Sequence, residues 1–314
     1  MTRGAPGTVG EFFDYAVRRF QRASLHFGHG THNARDEAAY LVLHALRLPL
    51  NSLSPHLRRP LGAAERSRLQ ALVERRVRVR LPAAYLTSEA WLGDFSFYVD
   101  RRVIVPRSFI AELLREGLEP WLPERVLRVL DLCTGSGCLA VLAAHAYPQA
   151  RVDASDVSAA ALAVARRNVE RYRLRQRVRL VRSDVFSALP GRRYDLILCN
   201  PPYVKDVTMR ALPREYRHEP RLALAGGRDG LELVRRMLAG ARVHLEPYGV
   251  LVCEIGHNRR ALERAYPSTA FTWLDTNSGP DHVFLLAREQ LPLARRTSSR
   301  AACATPSRKS GVTK

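Results

Sequence analysis

Asn200, Pro201, Pro202 and Tyr203, at the end of the run YDLILCNPPYV, combine residue types that can do chemistry. The Asn side chain and the carbonyl of Pro201 each offer an oxygen, enough to accept both N–H groups of one amino or amide nitrogen. Successive prolines fix φ twice and remove two donors, so neither helix nor sheet continues past Asn200 and the turn is stiff. Tyr203 adds a ring that can lie on a planar acceptor. Such a clamp suits a poor nitrogen nucleophile. An amide or aromatic amine has a delocalised lone pair and attacks a methylsulfonium only when desolvated and aimed, and a misplacement of about 1 Å costs roughly a hundredfold in rate. Alone, the motif is equally well a strand-terminating turn with a capping Asn.

A second constellation lies upstream. In VLDLCTGSGCLA a strand ending at Asp131 runs into Thr134-Gly135-Ser136-Gly137 and then a helix, so small residues let the backbone and helix amides approach a ligand. Ala140 leaves a dinucleotide fingerprint open as well. Further on, RVDASDVS ends a strand at Asp156, placed for ribose hydroxyls, which fits either cofactor. LVRSDVF ends another at Asp184, within reach of an adenine amine. Any one of these acids could be a helix N-cap. All three together with Asn200 are hard to explain by capping.

Positioning these residues requires a parallel sheet. Leu196 to Cys199 is a continuous apolar run, as in a central strand covered on both faces. From about Val126 such runs alternate with helical patterns, VLRVLDL, CLAVLAAHAY, RVDAS, AAALAVARRNVERY, VRLVRSD, YDLILCN, GLELVRRMLAGARVHL and GVLVCEIG, which predicts helices on both faces of the sheet. FTWLDT and DHVFLLARE follow with no helix between them, so the last strand is expected to be antiparallel. Ahead of this lies a helical part. Phe12, Phe13, Ala16, Val17 and Phe20 recur at helical spacing, ARDEAAYLVLHALRL repeats the pattern, and AAERSRLQALVERRVRVR reads as a third, strongly basic amphipathic helix. Residues 90–105 shift to a period of two, with Asp100-Arg101 as the expected turn of a hairpin. The expected organisation is a helical domain over 1–89, a hairpin linker over 90–105, a catalytic domain over 106–292 and a basic disordered tail over 293–314.

Composition sets the outer bounds. A length of 314 residues allows one large domain and a smaller one. The net charge of +20 rests on 50 basic residues, all arginine except Lys205, Lys309 and Lys314, a balance that attracts polyanions such as ribosomal RNA. No segment reaches the roughly 20 apolar residues that span a bilayer, and the N-terminus lacks a signal-peptide apolar core, so a cytoplasmic protein without membrane contact is expected. Cysteines 133, 138, 199, 253 and 303 form no Cys-x-x-Cys pair and read as free thiols. His26, His29 and His32 lack a carboxylate or cysteine partner in their pattern, and no metal is expected.

The motifs DLCTGSG, ASD, RSDVF and NPPY, in this order, resemble those of S-adenosylmethionine-dependent methyltransferases, in particular the protein-glutamine methyltransferases. EYRHEPRLALAGGRDGL and FYVDRRVIVPRS are similar to the branch called PrmB, which methylates a glutamine of large-subunit ribosomal protein three (uL3). The sister branch, PrmC or HemK, acts on the Gly-Gly-Gln of release factors and typically carries Pro-Arg-Pro-Glu-Thr-Glu where this chain has PRSFIAE, Pro106 to Glu112. The similarity covers roughly Val9 to Leu291. It implies an α/β fold with a seven-stranded Rossmann-like sheet and antiparallel last strand, S-adenosyl-L-methionine as cofactor, and uL3, free or in an assembly intermediate, as partner.

By position, Asp131, Cys133, Thr134, Gly135, Ser136 and Gly137 would form the cofactor turn at the methionine moiety. Asp156 would hold the ribose, and Asp184 with Val185 would border the adenine. Asn200, Pro201, Pro202 and Tyr203 would bind the glutamine, Asn200 also touching the cofactor, with Asn200, Pro201 and Tyr203 in catalytic roles. Cys133 stands where many methyltransferases have the first glycine of Asp-x-Gly-x-Gly-x-Gly. The helical domain and hairpin would meet the protein substrate. The rival readings are methylation of the release-factor glutamine, methylation of an exocyclic amine in DNA or RNA, and a non-catalytic RNA-binding module.

The tail ARRTSSRAACATPSRKSGVTK carries six basic residues and no acidic one. It is expected to add salt-sensitive attraction to ribosomal RNA and nothing to folding. Deleting residues 293–314 should leave the thermal midpoint unchanged; a large drop in a melting scan would show that the tail docks.

Overall fold

The computed structural model describes residues 6–291, so the tail from 293 onward lies outside the described residues. Helix α1 (Val9–Arg22) starts where Thr8 caps it: Thr8 Oγ1 accepts from Glu11 N at 3.3 Å and Glu11 Oε2 accepts from Thr8 N at 3.2 Å. Asn33 caps α2 (Ala34–Leu46) by accepting from the amides of Arg35 and Asp36. With α3 (Ala63–Val79) and α4 (Ala83–Thr87), these helices bury Phe12, Phe20, Leu41, Leu69 and Val73 in a core of their own. The basic helix α3 departs from simple amphipathicity at Arg76, which is 0% exposed. Its Nε bonds Glu37 Oε1 at 2.5 Å, its Nη2 donates to the carbonyl of His26 at 2.9 Å, and Nη1 lies 3.6 Å from Glu215 Oε1.

Strands β1 (Glu89–Leu92) and β2 (Phe95–Tyr98) form an antiparallel hairpin. Its turn is at Gly93-Asp94 and not at the expected Asp100-Arg101, because Gly93 supplies the positive φ, 58°, that so short a connection needs. Asp100 instead gathers Tyr98 Oη and Arg102 N, and residues 99–105 run inward as an irregular strap with Val99, Val103 and Val105 buried. The free edge of β2 is covered by side chains. Asn168 pairs with both main-chain groups of Tyr98 at 2.7 and 3.0 Å, as a neighbouring strand would, and also donates to Ser136 O at 2.8 Å.

After the short α5 (Ile110–Glu116), strands alternate with helices: β3 (Arg128–Leu132), α6 (Cys138–Ala146), β4 (Arg151–Asp156), α7 (Ala159–Arg171), β5 (Val178–Arg182) and β6 (Tyr194–Cys199). α8 (Asp206–Ala211), α9 (Glu232–Ala241), β7 (Leu245–Glu254), α10 (Arg259–Ala265), β8 (Thr272–Leu274) and β9 (Val283–Ala287) complete the order. The seven-stranded sheet runs β5-β4-β3-β6-β7-β9-β8. β9 pairs antiparallel with both β7 and β8, and the remaining ladders are parallel. Leu196 and Leu198 of β6 face the core formed with α5, α6 and α7, while Ile197 and Cys199 face the core formed with α9 and α10. This two-sided burial explains the unbroken apolar run. Strand order reverses direction between β3 and β6, and a crevice opens there beyond their carboxyl ends.

Arg76→Ala strips Glu37 and Glu215 of a buried cation and should lower the unfolding free energy by about 3–5 kcal/mol. Urea titration of the full chain checks it; a loss under about 1 kcal/mol would mean the pair is solvated.

Candidate active site

The crevice begins at the turn between β3 and α6. Asp131 lies beneath it, fully buried, and its Oδ2 accepts from Thr134 Oγ1 at 2.5 Å and from Ala140 N at 3.0 Å, tying the end of the strand to the start of the helix. Above, Cys133, Gly135 and Gly137 all have positive φ, at 64°, 55° and 80°. Cys133 thus adopts the left-handed backbone that glycine usually supplies, a strain of about 1–2 kcal/mol that its packed surroundings hold in place. A side chain at Gly137 would meet the Cβ of Ala165 at 3.1 Å, so α6 and α7 pack closely there.

Asp156, at the end of β4, accepts from Gly135 N at 2.9 Å and Ser158 N at 2.8 Å, one on each oxygen. Burial raises its pKa against those bonds. Lone pairs remain on both oxygens for hydroxyl donors. After β5, Val185 takes φ of 51°, an outlier for a β-branched residue, and is held by Ser183 Oγ donating to its carbonyl at 2.8 Å. Asp184 stands at the rim, with its carboxylate 2.7 Å from Arg236 Nη2. Cys133, Gly135, Asp156, Asp184, Val185 and Asn200 line one cavity of about 230 Å³, and Pro202 joins them. Asp131, Thr134, Ser136 and Gly137 support the turn from behind and are not in the cavity wall.

S-adenosylmethionine fits this donor set. Asp156 presents a half-satisfied carboxylate to a diol, the buried Ser155 Oγ on the cavity wall has no protein partner among the described residues, and the left-handed turn would bring backbone close to the ligand. The Asp156 carboxylate also suits a sulfonium cation.

Asn200 belongs to two cavities. The second, again about 230 Å³, is lined by Arg107, Pro201, Tyr203, Thr208, Tyr216 and Leu224 besides Asn200. Asn200 Nδ2 donates to the carbonyl of Arg107 across 3.4 Å, which assigns the amide orientation and leaves Oδ1 as a free acceptor. Tyr203 donates its hydroxyl to Glu254 Oε1 at 3.0 Å, accepts from Asn258 Nδ2 on its main-chain carbonyl at 2.8 Å, and seats its ring on Gly256. A Cβ at Gly256 would come within 2.7 Å of that ring, so the position requires glycine.

Residues outside the sequence-derived set complete the acceptor side. Arg107 grips Glu219 through two 2.6 Å bonds, and Glu219 also accepts from Val105 N at 2.9 Å. Burial pushes the Glu219 carboxyl up, but the hydrogen-bonded Arg107 guanidinium outweighs it and lowers the pKa to about 2. Arg107 lies 5.5 Å from the centre of the Tyr216 ring, against which His29 packs at 4.4 Å. Glu215 accepts from His26 N and Arg80 Nη1, and His218 Nε2 meets Val79 O at 2.9 Å, so this segment is fastened to the helical part. The available sequence signal was two acids four residues apart, Glu215 and Glu219, within an arginine-rich stretch that forms no long regular element.

Burial raises the pKa of Asp131 to about 7 against the two hydrogen bonds it accepts. The folded chain therefore holds a proton there that the unfolded chain, near pH 4, has released. The associated stability is present below about pH 4 and is lost as pH rises through about 7. Asp131→Asn should show a thermal midpoint that depends less on pH between about 5 and 8 than wild type; parallel curves would mean Asp131 stays ionised.

The family model described as the methyltransferase small domain matches residues 111–214, and the PrmC N-terminal domain matches residues 14–87. A protein of Neisseria meningitidis serogroup B called ribosomal protein uL3 glutamine methyltransferase is 56% identical over 286 residues, covering 90% of this chain and 94% of its own. Proteins of the same name from Bordetella pertussis, at 57%, and Burkholderia pseudomallei, at 52%, each match over 96% of their lengths and over 90% and 91% of this chain. Identity of this extent, across the helical part as well as the sheet, shows that the chain belongs to the family of ribosomal protein uL3 glutamine methyltransferases.

Proposed function

We propose that this chain transfers the methyl group of S-adenosyl-L-methionine to the side-chain amide nitrogen of a glutamine in ribosomal protein uL3. The observation that carries the reading is the placement of Asn200 on the wall shared by the two cavities, with its Oδ1 free. The cofactor supplies an electrophilic methyl on a sulfonium. Asp156 would hold the ribose, with Asp184 and Val185 beside the adenine and Cys133 to Gly137 around the methionine moiety. In the neighbouring cavity, Asn200 Oδ1 and the Pro201 carbonyl would each accept one N–H of the glutamine amide, aiming the lone pair through the shared wall, and Tyr203 would bound its planar face.

No strong base is needed. As the N–C bond forms, the methyl–sulfur bond breaks and the neutral thioether leaves. The N-methylated, protonated amide, being highly acidic, passes its proton along its hydrogen bonds toward solvent, so acceptors aimed at the nitrogen are sufficient. Pro220, Leu222 and Ala223 form part of the wall of the cofactor cavity.

The helical part, 1–89, with the hairpin and strap over 90–105, serves as the substrate-meeting portion, and 106–292 as the catalytic domain. Exposed Arg210, Arg214, Arg217 and Arg221 flank the acceptor side and provide a basic surface for ribosomal RNA around uL3. Among the described residues no helix is long and apolar enough to cross a membrane, and a cytoplasmic site of action follows from the substrate. Relatives matched over nine-tenths of this chain carry the uL3 name, which favours that acceptor over a release factor or a nucleobase.

Incubation of recombinant uL3 with labelled cofactor, followed by peptide mass spectrometry, tests the activity. Asn200→Ala should cut turnover by roughly a hundredfold or more while cofactor affinity, read by calorimetry, stays near wild type, because the lost contact acts in the transition state. Asp156→Ala should do the reverse, weakening cofactor binding about tenfold or more. Asn200→Asp, which keeps an acceptor oxygen, should retain partial activity. If Asn200→Ala keeps most of its turnover, the amide clamp is wrong and the loop is only a strand-terminating turn.

A further inference from the structure

We infer that Glu254, at the carboxyl end of β7, is a positioning residue for methyl transfer, holding Asn200 and Tyr203 in one geometry through a single buried carboxylate. The inference rests on the reading of Asn200 to Tyr203 as the glutamine clamp. In the β6–β7 ladder Cys199 is opposite Cys253, so Glu254 stands beside Asn200. It is 1% exposed and has no ion-pair partner among the described residues. A carboxylate in that setting is costly unless its lone pairs are used.

Three donors converge on it. Ser108 Oγ and Phe109 N reach Oε2 at 2.7 and 3.0 Å, and Tyr203 Oη reaches Oε1 at 3.0 Å. Phe109 N can only donate, and Ser108 Oγ, which itself accepts from Ile110 N at 3.3 Å, has its proton free for Glu254. The first two contacts fix the chain just after Arg107, whose carbonyl receives Asn200 Nδ2 and so decides which way the Asn200 amide faces. The third fixes the far end of the Tyr203 ring. One carboxylate therefore reaches both ends of the motif, directly at Tyr203 and through the 105–109 strap at Asn200. Glu219 holds the same strap from the other side of Arg107, through Val105 N and the guanidinium. With both anchors in place, Asn200 Oδ1 keeps its aim without a contact of its own to the sheet. Burial raises the Glu254 pKa despite these donors, which marks the environment as dry.

The test is a kinetic cycle on uL3 with wild type, Tyr203→Phe, Glu254→Gln and the double variant. Glutamine offers one acceptor oxygen where three donors converge, so it cannot serve strap and tyrosine alike. Each single variant should lower kcat about tenfold to a hundredfold, with KM for uL3 and cofactor Kd within about twofold of wild type. The double variant should be no slower than the slower single, since both changes break one contact. Multiplying effects, or wild-type kcat in Tyr203→Phe, would overturn the inference; the latter variant keeps two donors on Glu254 and is expected to fold even if Glu254→Gln does not. A wild-type chain that leaves uL3 unmethylated overturns the proposed function and this inference together, whereas a methylating wild type with multiplying effects overturns this inference alone.

Discussion

The second cavity, between Asn200 and Arg107, depends on buried glutamates, because the chain that forms it belongs to no ladder. The strap over 99–109 and the segment over 203–227 have only an isolated bridge, Val204 to Ala225, in place of sheet pairing. Their main-chain groups must find partners elsewhere, since a buried unpaired N–H or C=O costs about as much as a lost hydrogen bond. Glu219 and Glu254 provide them for the strap, accepting from Val105 N and Phe109 N, while Glu215 ties the second segment to the helical part by accepting from His26 N. Each also binds side chains from a different part of the fold. Buried ion pairs such as Arg107–Glu219 add little net stability, because desolvation offsets much of the attraction. What they contribute here is a single arrangement. Were they replaced by apolar contacts, the strap could shift and the Asn200 amide would lose its fixed partner.

The cofactor half is built on the opposite plan, regular strands ending in strained turns. Cys133 and Val185 take the left-handed backbone without being glycine, one at each side of the Asp156 carboxylate. Left-handed residues turn main-chain amides toward a ligand over a very short length of chain. Asp131 holds one of these turns by binding both Thr134 and the first turn of α6, and Ser183 holds the other. Fully buried Asn168 then joins the β3–α6 turn to the hairpin by bonding Ser136 O and Tyr98 together. Strain at the ligand is thus countered by ordinary hydrogen bonds one layer further in.

Much of this was legible in the sequence, for reasons particular to each element. The helices over Val9–Arg22, Ala34–Leu46 and Ala63–Val79 announced themselves by apolar spacing, and the sheet by strand–helix alternation. The left-handed turns and strand-end acids sit within a few residues of one another, so local pattern suffices. Glu219 and Glu254 could not be read in this way, being 35 residues apart and meeting the strap only through long-range contacts. Period-two patterning also misled at 99–105, where Val99, Val103 and Val105 alternate because they face the core from an irregular strap. There, Asp100 and Arg101 resembled a turn, while Gly93 needed a positive φ that alternation does not reveal.

Charge explains how so basic a chain can receive a cationic methyl donor. With a net charge of +20, the average potential at the surface repels a sulfonium. Around the cavities the lining arginines are already matched: Arg107 by Glu219, Arg236 by Asp184 and Arg102 by Asp100. On the wall of the cofactor cavity stands Asp156, with no arginine bonded to it. A close carboxylate in a poorly solvated wall outweighs distant screened charges, since the attraction rises as distance and local dielectric fall. The outer positive field therefore does not decide the sign of the potential inside the cavity. A strongly basic chain can still favour a cation locally, provided the pairings around Arg107 and Arg236 remain intact.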